Sequence, residues 1–242
     1  MAHKVITCAD WGAQPPASPI RTTGRPARII FHHTEGLAAR LDGDPAESRA
    51  EAAAYARMLQ LDHIRKRGWA DSGHNFLITR NGHILEGRHG SLDAVKAGRM
   101  VVSAHCPGQN DQPGIEHEHV AGQDLTAAQK AASVWLHAFI CRRTGIRPTE
   151  IHPHREYYAT DCPTSGLVDW LPALRLQVAR ELTREPKRSK ASFGAWARWY
   201  FGRGEFAGHG RRNPSVRPAV PQPVPSGWWA RLDRYADARG LN

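Results

Sequence analysis

Phe76-Leu77-Ile78-Thr79-Arg80-Asn81-Gly82-His83-Ile84-Leu85-Glu86-Gly87-Arg88 sets two short apolar runs on either side of an Asn-Gly pair. Asn-Gly between strand-forming segments is the strongest short-range hairpin signal, because both residues tolerate the backbone of a tight turn. The stretch therefore predicts two strands, over 75–80 and 83–88, joined by Asn81-Gly82. Just upstream, residues 46–67 are rich in Ala, Glu, Arg and Leu and contain no Gly or Pro, which predicts a helix stopped by Gly68. Further out, Arg28-Ile29-Ile30-Phe31-His32-His33 reads as a buried strand that delivers His32 at its end. A further short strand is expected around 114–120. Thr126 is placed to cap a helix reaching about Thr144, closed by Gly145 and Pro148, and another helix is expected over about 166–183. Strands mixed with helices on one sheet define an α/β class, with a mixed central β-sheet flanked by helices.

Composition bounds the rest. In 242 residues with 40% hydrophobic side chains there is material for one large domain, or one domain with an appendage. No run of 18 apolar residues occurs, which argues against a membrane-spanning helix. The opening Met-Ala-His-Lys-Val-Ile-Thr-Cys lacks the apolar core of a secretory signal, so synthesis in the cytosol is expected. Four cysteines (Cys8, Cys106, Cys141 and Cys162) show no paired spacing, so no disulfide framework is expected, and Cys8 and Cys141 read as buried thiols. The net charge of +10 is unevenly placed: residues 184–242 carry 12 basic and 4 acidic side chains, against 21 and 19 before them. Four of the eight tryptophans and the proline-rich run from Pro214 to Pro225 also fall there. The expected division is a domain over 1–183, a charged linker over 184–192 and a small basic Trp/Pro-containing region over 193–242. That region suits an anionic, sugar-rich surface, where cations attract at range and indoles stack on sugar faces. Packing of its tryptophans back onto the protein is the alternative.

The chemistry sits in His154-Arg155-Glu156-Tyr157-Tyr158-Ala159-Thr160-Asp161-Cys162-Pro163, which places an imidazole and a thiol eight residues apart around a turn. With His32 it supplies two histidines and one cysteine. Three protein ligands leave the fourth tetrahedral position of a zinc ion open to water, the arrangement of a catalytic site, and the pKa of that water falls to about 7. His33 and His152 flank these residues and are candidates for orienting them, or for replacing them as ligands. Histidines elsewhere, including His63, His117, His119 and His137, read as structural or surface residues.

In their order along the chain these pieces resemble the peptidoglycan recognition protein and zinc amidase superfamily, which includes bacteriophage amidase endolysins. The resemblance runs over about residues 5–180. It is carried by Trp11-Gly12-Ala13, Phe31-His32-His33-Thr34, Gly68-Trp69 through His74-Asn75-Phe76 and Glu86-Gly87-Arg88, Ala104-His105 through Asn110 to Glu116, and His154 through Pro163. It implies hydrolysis of the amide between N-acetylmuramic acid and L-alanine in bacterial peptidoglycan, with one zinc ion on His32, His154 and Cys162. It further implies that Thr160 faces the developing oxyanion, and that the substrate groove includes His33, Thr34, Asn75, Arg88, His105 and Asn110. The chain departs from the pattern at His74, where many active members carry a tyrosine assisting the zinc water. An imidazole can move a proton near neutral pH, so His74 is the expected catalytic assistant.

The function expected is therefore a phage-type endolysin acting as a monomer on peptidoglycan, with no nucleic acid partner. It would be made in the cytosol and would reach the wall by holin-dependent release. A cytosolic amidase recycling soluble muropeptides, or a non-catalytic peptidoglycan receptor, are the alternatives; receptors of the family tend to lose the cysteine ligand, which Cys162 retains.

Overall fold

Alternation along the central strands decides the layers. Leu77 and Leu85 join one apolar cluster while their neighbours Phe76, Ile78 and Ile84 join another, so the sheet is buried on both faces. The computed structural model describes residues 3–34, 48–119 and 123–183. The expected linker and C-terminal region lie outside them. In chain order the elements are β1 (Val5–Ile6), α1 (Cys8–Trp11), β2 (Thr22–Thr23), β3 (Ile29–His33), α2 (Arg49–Arg65), β4 (Phe76–Ile78), β5 (Ile84–Glu86), α3 (Ser91–Lys96), β6 (Met100–Val101), β7 (Gly114–His117), α4 (Ala127–Thr144), β8 (Ile151–Pro153) and α5 (Ser165–Thr183). Short 3-10 turns, Pro148–Glu150 and His154–Glu156, bracket β8.

Six strands form one mixed sheet in the order β1-β5-β4-β7-β3-β8; only the β4–β5 hairpin is antiparallel. β2 and β6 pair separately. On one face, Ile29, Phe31, Phe76, Ile115 and Ile151 pack with Leu136 and Ile140 of α4 and Leu171, Leu174 and Val178 of α5. On the other, Leu77 and Leu85 meet Trp11 of α1 and Ala52, Tyr55, Ala56 and Leu59 of α2. Burying side chains of this size contributes about 2 kcal/mol each, which is what holds helices to both faces. No helix of the described residues is long and apolar enough to cross a membrane.

Thr126 caps α4 as the sequence predicts, while α2, expected from residue 46, begins at Arg49 behind Ser48. Ser48 with Glu51, and Thr126 with Gln129, form reciprocal capping boxes that satisfy the first free amides of α2 and α4. Gly145 ends α4 in the left-handed conformation. The hairpin differs from expectation. Among the described residues none other than glycine has positive φ, so Asn81 does not enter the left-handed turn that a two-residue Asn-Gly loop requires. Instead Thr79 N–H bonds His83 O, Gly82 N–H bonds Thr79 O, and the loop is Arg80-Asn81-Gly82 with Gly82 at φ 77°. The reason is tertiary: the Arg80 amide donates to Glu118 Oε2 at 2.8 Å and its carbonyl accepts from the Thr126 hydroxyl, which draws Arg80 out of the ladder.

Candidate metal centre

β3 is flanked by two parallel strands, and their registers assemble the centre. His32 pairs with Glu116 of β7, and Phe31 pairs with Pro153 of β8, so His154 arrives beside His32 immediately after β8. The His32 and His154 ring centroids lie 4.4 Å apart. Cys162 returns on the following loop with its Sγ 3.8 Å from His32 Nδ1. One ligand atom from each of His32, His154 and Cys162 lies within 4.8 Å of the others. Ligands at about 2.0–2.3 Å from a tetrahedral ion stand at separations of this order.

The donor set fits zinc on observations of its own. Both ring nitrogens of His154 are shut away from solvent and have no hydrogen-bond partner, a costly state that a metal ion would relieve at one of them. Burial, reinforced by His74, pushes His154 down to about 4; burial also pushes the fully enclosed His32 well below its ordinary value. Both rings are therefore neutral at pH 7, as ligation demands. The loop bearing the thiol is held from outside: Arg155 Nη2 donates to the carbonyl oxygens of Asp161 and Pro163, on either side of Cys162. The His33 amide donates to Cys162 Sγ at 3.4 Å, a contact that favours the thiolate.

Around the trio the expected residues take distinct places. The His74 ring lies 4.5 Å from that of His32, and its Nδ1 is 2.7 Å from Glu116 Oε2. That pair is close enough for an ion pair, although the N–H direction lies off the hydrogen-bond line. Burial alone would raise the Glu116 carboxyl, but His74 and then His63 and His33 together hold it below its usual range. Thr160 Oγ1 accepts from the Cys162 amide at 3.2 Å, leaving its hydroxyl hydrogen for another acceptor.

Asn75 and His105, expected in the groove, belong instead to the frame, and Thr34, Asn110 and Arg88 also bond within the protein. Asn75 is wholly buried; its Oδ1 accepts from Gly114 N–H and its Nδ2 donates to Ser91 Oγ and Val101 O, which leaves nothing for a ligand. The Thr34 hydroxyl accepts from the His119 amide. Asn110 Oδ1 accepts from Cys106 N–H. Arg88 donates to Ser72 O and makes no bond to Glu86, whose carboxylate takes the Leu92 and Cys8 amides. His105 is buried behind His32 rather than open to a groove. The His33 ring faces His119, and His152 faces Glu156 and Glu150, so neither ring competes as a ligand. Two further residues stand beside the trio. Glu116 needs the β3–β7 register to be placed; Tyr158, 52% exposed, stacks on His154 at 5.8 Å.

Residues 22–165, more than half of the chain, match the family described as N-acetylmuramoyl-L-alanine amidase. Peptidoglycan-recognition protein SC1a of Drosophila melanogaster is 32% identical over 159 residues, covering 66% of this chain and 79% of that protein. The N-acetylmuramoyl-L-alanine amidase of Homo sapiens is 28% identical over 166 residues, 66% of this chain but 26% of that protein. The solved structure of Drosophila PGRP-LB superposes with a TM-score of 0.54 at 26% identity, covering 78% of this chain and 97% of that one. A Clostridium intestinale endolysin amidase shares the fold at 22% identity, with a TM-score of 0.51 and coverage of 70% and 93%.

Proposed function

Because the chain belongs to the N-acetylmuramoyl-L-alanine amidase family, we propose that it hydrolyses the bond between N-acetylmuramic acid and L-alanine of peptidoglycan with one zinc ion. The observation that carries this reading is the convergence of His32, His154 and Cys162 with the two partnerless nitrogens of His154. A zinc ion held there supplies Lewis acidity, which polarises a carbonyl and makes water acidic near neutral pH. The residues of the chain do the rest. Glu116 takes the Nδ1 side of His74, so Nε2 is the nitrogen that accepts a proton from the attacking water and can return it to the leaving amine. Thr160, its oxygen already occupied by the Cys162 amide, turns its hydrogen toward the developing oxyanion. Arg155 and the His33 amide hold the thiolate in place while charge moves.

The setting we propose is that of a phage-type endolysin, made in the cytosol and reaching the wall through a holin-type release partner, with wall attachment in residues 193–242. The basic, tryptophan-bearing sequence after residue 183 supports that reading. Co-sedimentation with purified walls as salt is raised tests it, since attachment through those charges weakens with screening. A chain ending at residue 183 that binds walls as well as the full chain would sink the attachment idea.

The deciding experiment for the reaction is mass spectrometry of peptidoglycan incubated with zinc-loaded protein, beside Cys162→Ser. Stem peptides with new free L-alanine amines, absent from the control, are expected. Intact peptidoglycan from a folded, zinc-holding protein would turn the reading to a receptor.

A further inference from the structure

We propose that His105 is a positioning residue that sets the tautomer of His32, and through it the metal affinity of the centre. The inference rests on the reading of His32 as a zinc ligand. It begins at a backbone carbonyl: His105 Nε2 lies 2.9 Å from Gln112 O, and a carbonyl oxygen can only accept, so Nε2 carries the hydrogen. A neutral imidazole has one N–H, which leaves Nδ1 of His105 as a bare acceptor. That atom lies 2.8 Å from His32 Nε2. His32 must therefore place its own hydrogen on Nε2 and leave Nδ1 bare. Nδ1 is the atom that faces Cys162 Sγ at 3.8 Å. The relay runs from Gln112 O through both rings and ends on a lone pair aimed at the metal position.

The enclosure is built for this ring. A Cβ on Gly114 would stand 2.4 Å from His105 Cδ2, so only glycine at the start of β7 leaves room for the imidazole. Gly114 is in turn clasped by Asn75, through both its amide and its carbonyl. Asn75 thus keeps the cradle closed rather than reading substrate.

Partners that orient a ligating histidine change metal affinity by roughly 10–100-fold. Zinc affinity measured by chelator competition is expected to fall by about that factor in His105→Leu, which keeps bulk but has no acceptor. His105→Asn returns an acceptor near the Nδ1 position and is expected to recover most of the loss. Nitrogen-15 NMR of the metal-free wild-type protein supplies a readout that needs no variant to fold. His32 should carry its proton on Nε2. A His32 protonated on Nδ1, or a His105→Leu protein binding zinc within twofold of wild type, would overturn the proposal. Neither readout uses substrate, so zinc-loaded protein that leaves peptidoglycan uncut overturns the amidase reading alone.

Discussion

His74 and Glu116 show how little a single residue says before its neighbours are known. In sequence His74 is a departure from the tyrosine of many active relatives; in the fold it is one half of a buried pair with Glu116, 2.7 Å away. If the pair handles the proton, His74→Phe should keep zinc and lose about 10²–10⁴ in kcat, the usual contribution of a positioned acid–base. Steady-state rates beside metal analysis check this; full activity in the zinc-bearing variant would remove His74 from the reaction. Glu116→Gln keeps an acceptor but not the charge, so a smaller loss is expected. His32, His154 and Cys162 were legible as a trio because imidazole and thiol side chains at those spacings carry their chemistry in their type. Glu116 stayed open between an acceptor and a plain strand residue, because a glutamate on a strand acquires a role only when the register sets it opposite His32.

At the scale of elements, local signals were reliable where the local backbone decides and unreliable where a distant group pulls. Thr126 caps α4 and Ser48 caps α2 because an N-cap needs nothing beyond four consecutive residues. The Asn81-Gly82 loop took another form because Glu118 and Thr126, far along the chain, bond Arg80. Gly82 is now the position where any side chain would be strained, with φ 77° and Ala128 O only 2.7 Å from where a Cβ would sit. Gly82→Ala should destabilise by about 1–3 kcal/mol, seen as a lower melting temperature with zinc affinity unchanged. Arg155→Met predicts the reverse pattern. It frees the carbonyls beside Cys162, so zinc affinity should drop while the melting temperature of the metal-free protein barely moves. Equal affinities in the two proteins would deny Arg155 its part in placing the thiol.

For the whole molecule, the buried histidines make stability depend on pH. His137 of α4 is fully buried, its Nδ1 held by Ser133, with the rings of His117 and Phe31 facing it at 6.3 and 6.2 Å. Burial pushes His137 down to about 4. Its folded pKa is thus below the unfolded value of about 6.5, so between these limits the unfolded chain binds a proton that the folded one refuses. The stability is complete above about pH 6.5 and is lost as pH falls toward 4, at up to about 1 kcal/mol per unit from this group. In denaturant titrations of metal-free protein, the gap between wild type and His137→Leu should narrow over that window. A gap that stays constant from pH 7 to 4 would show that His137 does not titrate on unfolding.

What the sequence determined by itself was the class of fold, the Thr126 cap, the strand that carries His32 and the His-His-Cys chemistry of the candidate metal centre. Those depend on side-chain type, on period and on partners a few residues away. Only the tertiary structure decided between His32 and His33, because the two-residue period of a strand leaves both sides open until the sheet is packed, and between His152 and His154, because β8 ends at Pro153 and His154 opens a 3-10 turn. It also moved Asn75 and His105 from a surface groove into the frame, since burial and hydrogen-bond partnership are properties of three-dimensional neighbours, 39 residues apart for Asn75 with Gly114 and 73 for His32 with His105.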